Sequence, residues 1–337
     1  MLDVFETQSA RNGGLISSVS LREVGLSTDA VQSLIDRGDL VRLRRGVYVL
    51  GPSWRAARSD ERYRLFVLAS AFVAQRPLLL SHQSAAALHG LPMIGAWPRT
   101  VHAINNDATG GSTARHTTTH RNVVLPDTVQ LHGCRVTGLA RTLIDVAASS
   151  TFLVGVTMID HALREEQQRA ESEKRDGIVG LPPLTRASLR AELEAAHPRH
   201  GAQQASRAID FANPLSANPG ESLSRVRIYE LGFEVPELQV YFQLNSRSYW
   251  VDFYWRRVRK IGEFDGELKY TRGEILGDRD PSDVVIAEKN RENLLRRHSD
   301  SFSRWDWDTA YSPQRFCDFL IEHDVPRRQV RQRRAQV

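Results

Sequence analysis

Cysteine is nearly absent: two residues, Cys134 and Cys317, stand in a chain of 337. They lie too far apart, and match no ligand spacing, for a disulfide framework or a thiolate zinc site, so both are read as inert thiols. Long apolar runs are also missing. No stretch approaches the length needed to cross a bilayer. The opening MLDVFETQSARNGG lacks a charged-then-apolar leader layout. These absences lead us to expect a cytoplasmic protein with no membrane partner. Hydrophobic residues make up 41% and charged residues 25%, an ordinary balance for a folded chain long enough for two or three domains.

What the chain has in excess is arginine. The formal net charge is +5, and the cations gather at Arg42-Leu43-Arg44-Arg45, at Arg256 to Lys260, at Arg296-Arg297 and from Arg327 to Arg334. Such clusters favour a polyanionic partner, because neutralised phosphates release counterions. A solvated arginine-rich surface is the plainer alternative.

Residues 1–55 read as two helices followed by a hairpin. Ser27 is placed to cap a helix over Thr28 to Arg37, with Ala30, Val31, Leu34 and Ile35 on one face. Gly38 stops it, and Leu40 to Leu43 leads through Arg44-Arg45-Gly46 into Val47 to Leu50. Two helices and a basic wing match the geometry by which helix-turn-helix relatives read DNA. Arg37, Arg42, Arg44 and Arg45 are the expected phosphate contacts, with Thr28, Gln32 and Ser33 facing bases. A winged unit that contacts protein instead is the competing reading.

Residues 56–150 alternate helical and strand-like runs: a helix over Glu61 to Gln75, a capped helix from Ser81 to Gly90, then strands near 100–104, 117–121 and 129–136. His82 and His89 invite a metal, but no third ligand stands at a sensible spacing, so capping or packing is expected. Residues 151–215 are mainly helical and polar, and connect the two halves.

The third part, 216–325, is arranged around two strand-like runs, Ser248 to Trp255 and Val258 to Phe264, joined at Arg256-Arg257. Alternation places Trp250, Asp252 and Tyr254 on one face of the first run. On the second run, Ile261, Glu263 and Asp265 share a face. Carboxylates in an aromatic hairpin are expensive unless paired. Three acids from adjacent strands, with Lys269 just beyond, suit a hard divalent cation such as Mg²⁺. Glu221, in the first turn of a helix, either caps that turn or hangs over the acids. A basic tail, 326–337, is expected to be disordered.

Two resemblances follow from these residues. Leu26-Ser27-Thr28 to Leu50, the run from Ser81-His82-Gln83 to Leu91-Pro92, and Val136-Thr137-Gly138 to Asp145 resemble the AbiEi family, winged-helix regulators that act as antitoxins of type IV toxin–antitoxin systems. This resemblance implies DNA binding and a cognate toxin as partner. Glu221, Asp252 and Glu263-Phe264-Asp265-Gly266, in the order helix, three strands, helix, strand, helix, resemble the Vsr-like PD-(D/E)XK endonucleases. That resemblance implies Mg²⁺ or Mn²⁺ on Asp252 and Glu263, and phosphodiester hydrolysis assisted by Glu221 and Lys269. Asp265 stands where those enzymes carry a lysine, with Lys269 or Lys289 as substitutes. Gly262 also stands where a β-branched residue is usual. A degenerate, non-catalytic domain is the alternative. The expected fold class is therefore α+β multidomain: an N-terminal winged helix with an α+β segment, then a restriction-endonuclease-like α/β core.

Overall fold

A computed structural model describes residues 6–7, 9–10, 12–105, 112–113, 116–121, 126–266 and 281–329. The chain divides into two compact units: Met1–Ile159 with Pro182–Ala212, and Asp160–Leu181 with Asn213–Val337.

The first unit opens with a small layer that has a core of its own. Strand β1 (Ile16–Ser17) runs into helix α1 (Ser18–Glu23), and helix α2 (Thr28–Asp36) follows. Both helices start on serine caps: the Ser17 hydroxyl accepts from the Ser20 amide at 3.0 Å and Ser27 from Ala30 at 3.2 Å. Such hydroxyls satisfy amides that have no partner inside the helix. Gly38, at φ +76°, ends the second helix in a conformation that costs other residues energy. Strands β2 (Leu40–Arg44) and β3 (Val47–Leu50) form an antiparallel hairpin, and β1 pairs with β3 to complete the sheet. Ile16, Leu21, Val31, Leu34, Leu40, Tyr48 and Leu50 pack between sheet and helices. The apolar face read from the sequence of α2 is the one that is buried.

Helix α3 (Gly51–Ala56) leads to α4 (Ser59–Phe72), which packs on a six-stranded sheet. The strands are β4 (Leu79–Leu80), β5 (Val101–Ile104), β6 (Ser112–Thr113), β7 (Thr117–His120), β8 (Thr128–Leu131) and β9 (Cys134–Thr137), in the order β6-β7-β5-β4-β9-β8. Helix α5 (His82–Leu88) joins the same core around Leu80, Ala85, Val101 and Val136, and α6 (Leu139–Ser149) packs against α5. Helix α7 (Phe152–Arg175) contributes to both units, and α8 (Arg186–Ala196) and α9 (Ala202–Phe211) return to the first. The run Arg169 to Asp176, read as a solvated helix end, carries α7 to Arg175, with Arg169 bridging Glu166 at 2.8 Å and Glu173 at 2.7 Å.

The second unit follows the order expected from sequence: α10 (Pro219–Glu230), β10 (Glu237–Leu244), β11 (Arg247–Trp255), a 3-10 turn (Arg256–Val258), β12 (Lys260–Phe264), α11 (Pro281–Arg297), β13 (Ser301–Trp305), α12 (Trp307–Tyr311) and α13 (Pro313–Glu322). The first three strands are antiparallel neighbours and β13 adds in parallel to β12. Gly262 is not a weakness in β12. A Cβ there would sit 2.6 Å from the Trp305 ring, and that ring stacks on Phe253 at 5.2 Å. The glycine makes room for the buried Trp305 indole.

Two expectations are corrected here. Val251 and Tyr254, three residues apart, share one core cluster with Ile261, Leu295 and Phe302, so simple alternation does not run through Asp252. The ladder shows why: β10 and β11 pair on both sides of Gln239 and Asp252 but not at them, and Gln239 has φ +48°. The tail does not begin at 326. The Glu234 amide donates to the Pro326 carbonyl at 2.8 Å, Arg328 to that of Gly232 at 2.9 Å, and the Arg327 guanidinium lies 3.8 Å from the Phe233 ring centroid. Residues 330–337 lie outside the described residues.

Candidate functional site

The basic hairpin and α2 present one surface. Thr28, Gln32 and Ser33 are exposed on α2, and Arg42 and Arg45 are exposed on the hairpin. Arg42 reaches Gln32 at 3.5 Å. Among the described residues neither Arg42 nor Arg45 forms an ion pair. Arg37 is exposed too, but it is shared with Asp39 at 3.0 Å and Ser33 at 2.8 Å.

Arg44 does not belong to that surface. The pairing of β2 with β3 shifts between Arg42 and Arg44, and the resulting bulge turns Arg44 inward until only 8% of it is exposed. Its Nε donates to the Ser70 hydroxyl at 2.9 Å, and its guanidinium lies 3.8 Å from the Phe66 ring centroid. As a phosphate contact it is unavailable in this arrangement, which corrects the reading of three adjacent wing arginines.

Of the other basic clusters, the one at Arg256 to Lys260 is neutralised and the one at Arg296-Arg297 in part, while most of the run from Arg327 to Arg334 lies outside the described residues. Arg256 pairs with Glu237 at 2.6 Å, Arg257 with Glu234 at 3.0 Å, Arg259 with Asp300 at 3.3 Å and Arg296 with Glu292 at 2.7 Å. Each exposed pair adds little stability, but each removes a cation from the surface potential. Arg42 and Arg45 therefore stand out.

In the second unit the sequence-predicted acids meet in part. Asn218 caps α10, and Glu221, three residues on, reaches back to accept from the Ala217 amide at 2.7 Å and the Asn218 amide group at 2.7 Å. The same carboxylate faces the hairpin. Gln239 Nε2 stands 3.3 Å from Glu221 Oε2 and 3.2 Å from Asp252 Oδ1. Both functions considered for Glu221, capping and reaching the acids, are thus combined. Asp252 Oδ2 accepts from the Phe264 amide at 3.0 Å, taking a donor that the interrupted ladder leaves over. Burial, reinforced by the Asp252 charge, pushes Glu221 up to about 7.

Glu263 faces two guanidiniums instead. Arg291 Nη1 donates to its Oε1 at 2.9 Å and Arg304 Nη2 to its Oε2 at 2.9 Å. Burial raises its pKa, with the Arg291 charge opposing. Asp265 lies just past β12, its amide donating to the Trp305 carbonyl at 2.8 Å. Among the described residues no hydrogen bond or ion pair joins its carboxylate to the other acids. Lys269 lies outside the described residues, and Lys289 is exposed on α11.

As they stand, the acids do not form a ready site for Mg²⁺ or Mn²⁺ among the described residues. Among the described residues no three of His, Cys, Asp or Glu stand close enough to share one ion. Glu221, Asp252 and Glu263 each already accept from protein donors, Glu263 from two arginines.

Sequence reasoning missed Gln239 and Arg304. Neither has a sequence signal, since glutamine and arginine are unremarkable in a partly exposed strand. The histidines came out as packing groups, as expected for His89, whose Nε2 bonds the Thr137 carbonyl at 2.9 Å. His82 belongs to a cluster that its own neighbourhood does not announce. Its ring stacks on His120 at 3.6 Å, and His120 Nε2 lies 2.9 Å from His102 Nδ1.

Residues 7–51 match the model of a family described as a transcriptional regulator, the AbiEi antitoxin. The match covers the α1–α2 pair and the β2–β3 hairpin, and the chain is similar to that family over this stretch. No curated protein matches the chain. Among the described residues no helix is long and apolar enough to cross a membrane.

Proposed function

We propose that the chain is a DNA-binding transcriptional regulator of the AbiEi antitoxin kind. In this reading residues 7–51 act as a winged helix, α2 entering the major groove and the hairpin lying on the backbone. The observation that carries it is the surface shared by exposed Thr28, Gln32 and Ser33 with Arg42 and Arg45, within the stretch similar to that family. The two arginines lack carboxylate partners among the described residues, so phosphate contact costs no broken ion pair. A cognate toxin as protein partner belongs to the same proposal.

The test is fluorescence anisotropy on a labelled duplex carrying the DNA upstream of the chain's own coding region, measured over a series of salt concentrations. The double variant Arg42→Ala/Arg45→Ala should bind more weakly. It should also flatten the salt dependence by about 2 in slope, at roughly 0.9 per phosphate released. An unchanged slope would remove the hairpin from the interface.

A second reading, phosphodiester hydrolysis by the second unit, is favoured by one observation: Gln239 Nε2 stands within hydrogen-bond distance of both Glu221 and Asp252. Buried carboxylates with raised pKa values, as Glu221 has, concentrate at functional sites. A nicking assay on supercoiled plasmid with Mg²⁺ or Mn²⁺ tests it, comparing wild type with Asp252→Asn and Glu263→Gln. Cleavage by wild type that both variants lose would support it; cleavage that both keep would sink the assignment.

A further inference from the structure

Arg44 is a cation without a carboxylate, enclosed between the hairpin and α4. Its Nε is satisfied by Ser70, whose hydroxyl donates in turn to the Phe66 carbonyl at 2.6 Å. Its guanidinium stacks on Phe66 at 3.8 Å. Its Nη2 is buried and has no hydrogen-bond partner. An apolar side chain of similar length would fill the space with no orphaned donor, so packing alone does not account for an arginine here. The guanidinium offers what an apolar chain lacks, a planar group that fixes direction by stacking and hydrogen bonding together.

The direction it fixes is that of the hairpin. Arg44 is the last residue of β2, beside the register shift, and next to it the chain turns through Arg45 and Gly46. Gly46 has φ +76°, and a Cβ there would lie 2.9 Å from the Ser18 hydroxyl. The tip is thus held from one side by α1 and from the other by α4. One turn before Phe66, on the same face of α4, Tyr63 stacks on Trp97 at 4.7 Å and bonds Ser84 at 2.9 Å. Helix α4 therefore touches both the hairpin and the six-stranded layer.

We propose that Arg44 is a positioning residue that sets the angle of the hairpin against α4, so that Arg42 and Arg45 meet the DNA backbone while Arg44 itself does not. This rests on the DNA-binding reading above. It assigns the three adjacent arginines two opposite tasks: two exposed ones contact phosphate, and the buried one aims them. Ser70 and Phe66 become remote determinants of DNA affinity through the same clamp.

The experiment uses the full chain and the labelled upstream duplex, with Arg45→Ala, and with Arg44→Met and Ser70→Ala each alone and added to Arg42→Ala/Arg45→Ala, compared over a salt series. Arg44→Met should weaken binding roughly tenfold in the otherwise wild-type chain and have no further effect when added to Arg42→Ala/Arg45→Ala, and Ser70→Ala should weaken binding less, with the same dependence on the two exposed arginines. Arg45→Ala should lower the slope by about 1. Amide hydrogen exchange from Arg42 to Val49 should be faster in Arg44→Met and Ser70→Ala than in wild type. A slope lowered by about 1 more when Arg44→Met is added to Arg42→Ala/Arg45→Ala would show that Arg44 itself reaches a phosphate and would overturn the proposal. Wild-type affinity in both clamp variants would overturn it as well. If wild type itself binds no DNA, the DNA-binding reading fails, and hydrogen exchange decides the clamp separately: unchanged exchange in both variants refutes it. Ser70→Ala keeps the question open to measurement should Arg44→Met fail to fold.

Discussion

Arg304 Nη2 lies 2.9 Å from Glu263 Oε2, closing from one side a carboxylate that Arg291 closes from the other. Glu263 is 5% exposed, so its charge depends on these partners. Removing both, in Arg291→Met/Arg304→Met, should destabilise the protein by about 3–5 kcal/mol, the usual cost of a buried charge left alone. Adding Glu263→Gln to that double variant should recover much of the loss. Urea denaturation of the three proteins checks it; a double variant as stable as wild type would show that Glu263 is solvated.

Glu221 gives a pH dependence with a definite sign. Its pKa rises from an ordinary 4.5 to about 7 because burial and the Asp252 charge disfavour ionisation. The unfolded chain therefore releases this proton more readily than the folded one. Stability from this group is intact below about pH 4.5 and is lost as pH rises through about 7. Glu221→Gln should flatten the stability profile over this window. Urea midpoints for the two proteins at pH 5 and pH 8 read the difference.

The histidine cluster acts in the opposite direction. Burial, with the charge of His120 adding to it, lowers His102 from 6.5 to about 4, and burial holds His82 and His120 down as well. The unfolded chain takes up these protons first, so stability is lost as pH falls from about 6.5 towards 4. His82 faces Asp145, whose carboxyl burial pushes up to about 6; that single acid works against three imidazoles. His120→Gln should reduce the acid sensitivity, as thermal melts at pH 7 and pH 5 would show.

Asp160 and Arg225 form a buried ion pair at 2.6 Å, with the two side chains 1% and 3% exposed. The Asp160 carboxylate also accepts from the Asn213 amide at 2.6 Å and the Ser222 hydroxyl at 2.8 Å. Asp160→Ala alone should cost about 3–5 kcal/mol, whereas Asp160→Leu/Arg225→Met should cost far less, because the pair's attraction is largely spent on its own desolvation. A double-mutant cycle by denaturant unfolding compares them.

How much of this was legible in the sequence depends on the range of the interaction. Ser27 and Gly38 act within one turn of the chain, and the helix they bound appears where the sequence placed it. Glu221, Asp252 and Glu263 were found because acids stand out against aromatic strands. Arg44 was misread because a single-residue register shift, invisible in composition, reverses its direction. The histidine cluster escaped notice because parallel pairing of β5 with β7 brings His102 and His120 together from distant positions. Gln239 escaped because its importance lies in a left-handed backbone and two neighbours, neither of which is written in the run Glu237 to Val240.

Gly262 and Trp305 form a linked pair in space, a Cβ at 262 lying 2.6 Å from the indole. A side chain at 262 meets the indole, and shrinking the indole leaves the Ser224 hydroxyl, now 2.8 Å from Trp305 Nε1, without its donor. Neither position can drift alone. In a set of divergent relatives the glycine one step before the glutamate and the tryptophan of the last strand should be lost and kept together, and that joint inheritance would mark this unit where overall similarity has faded.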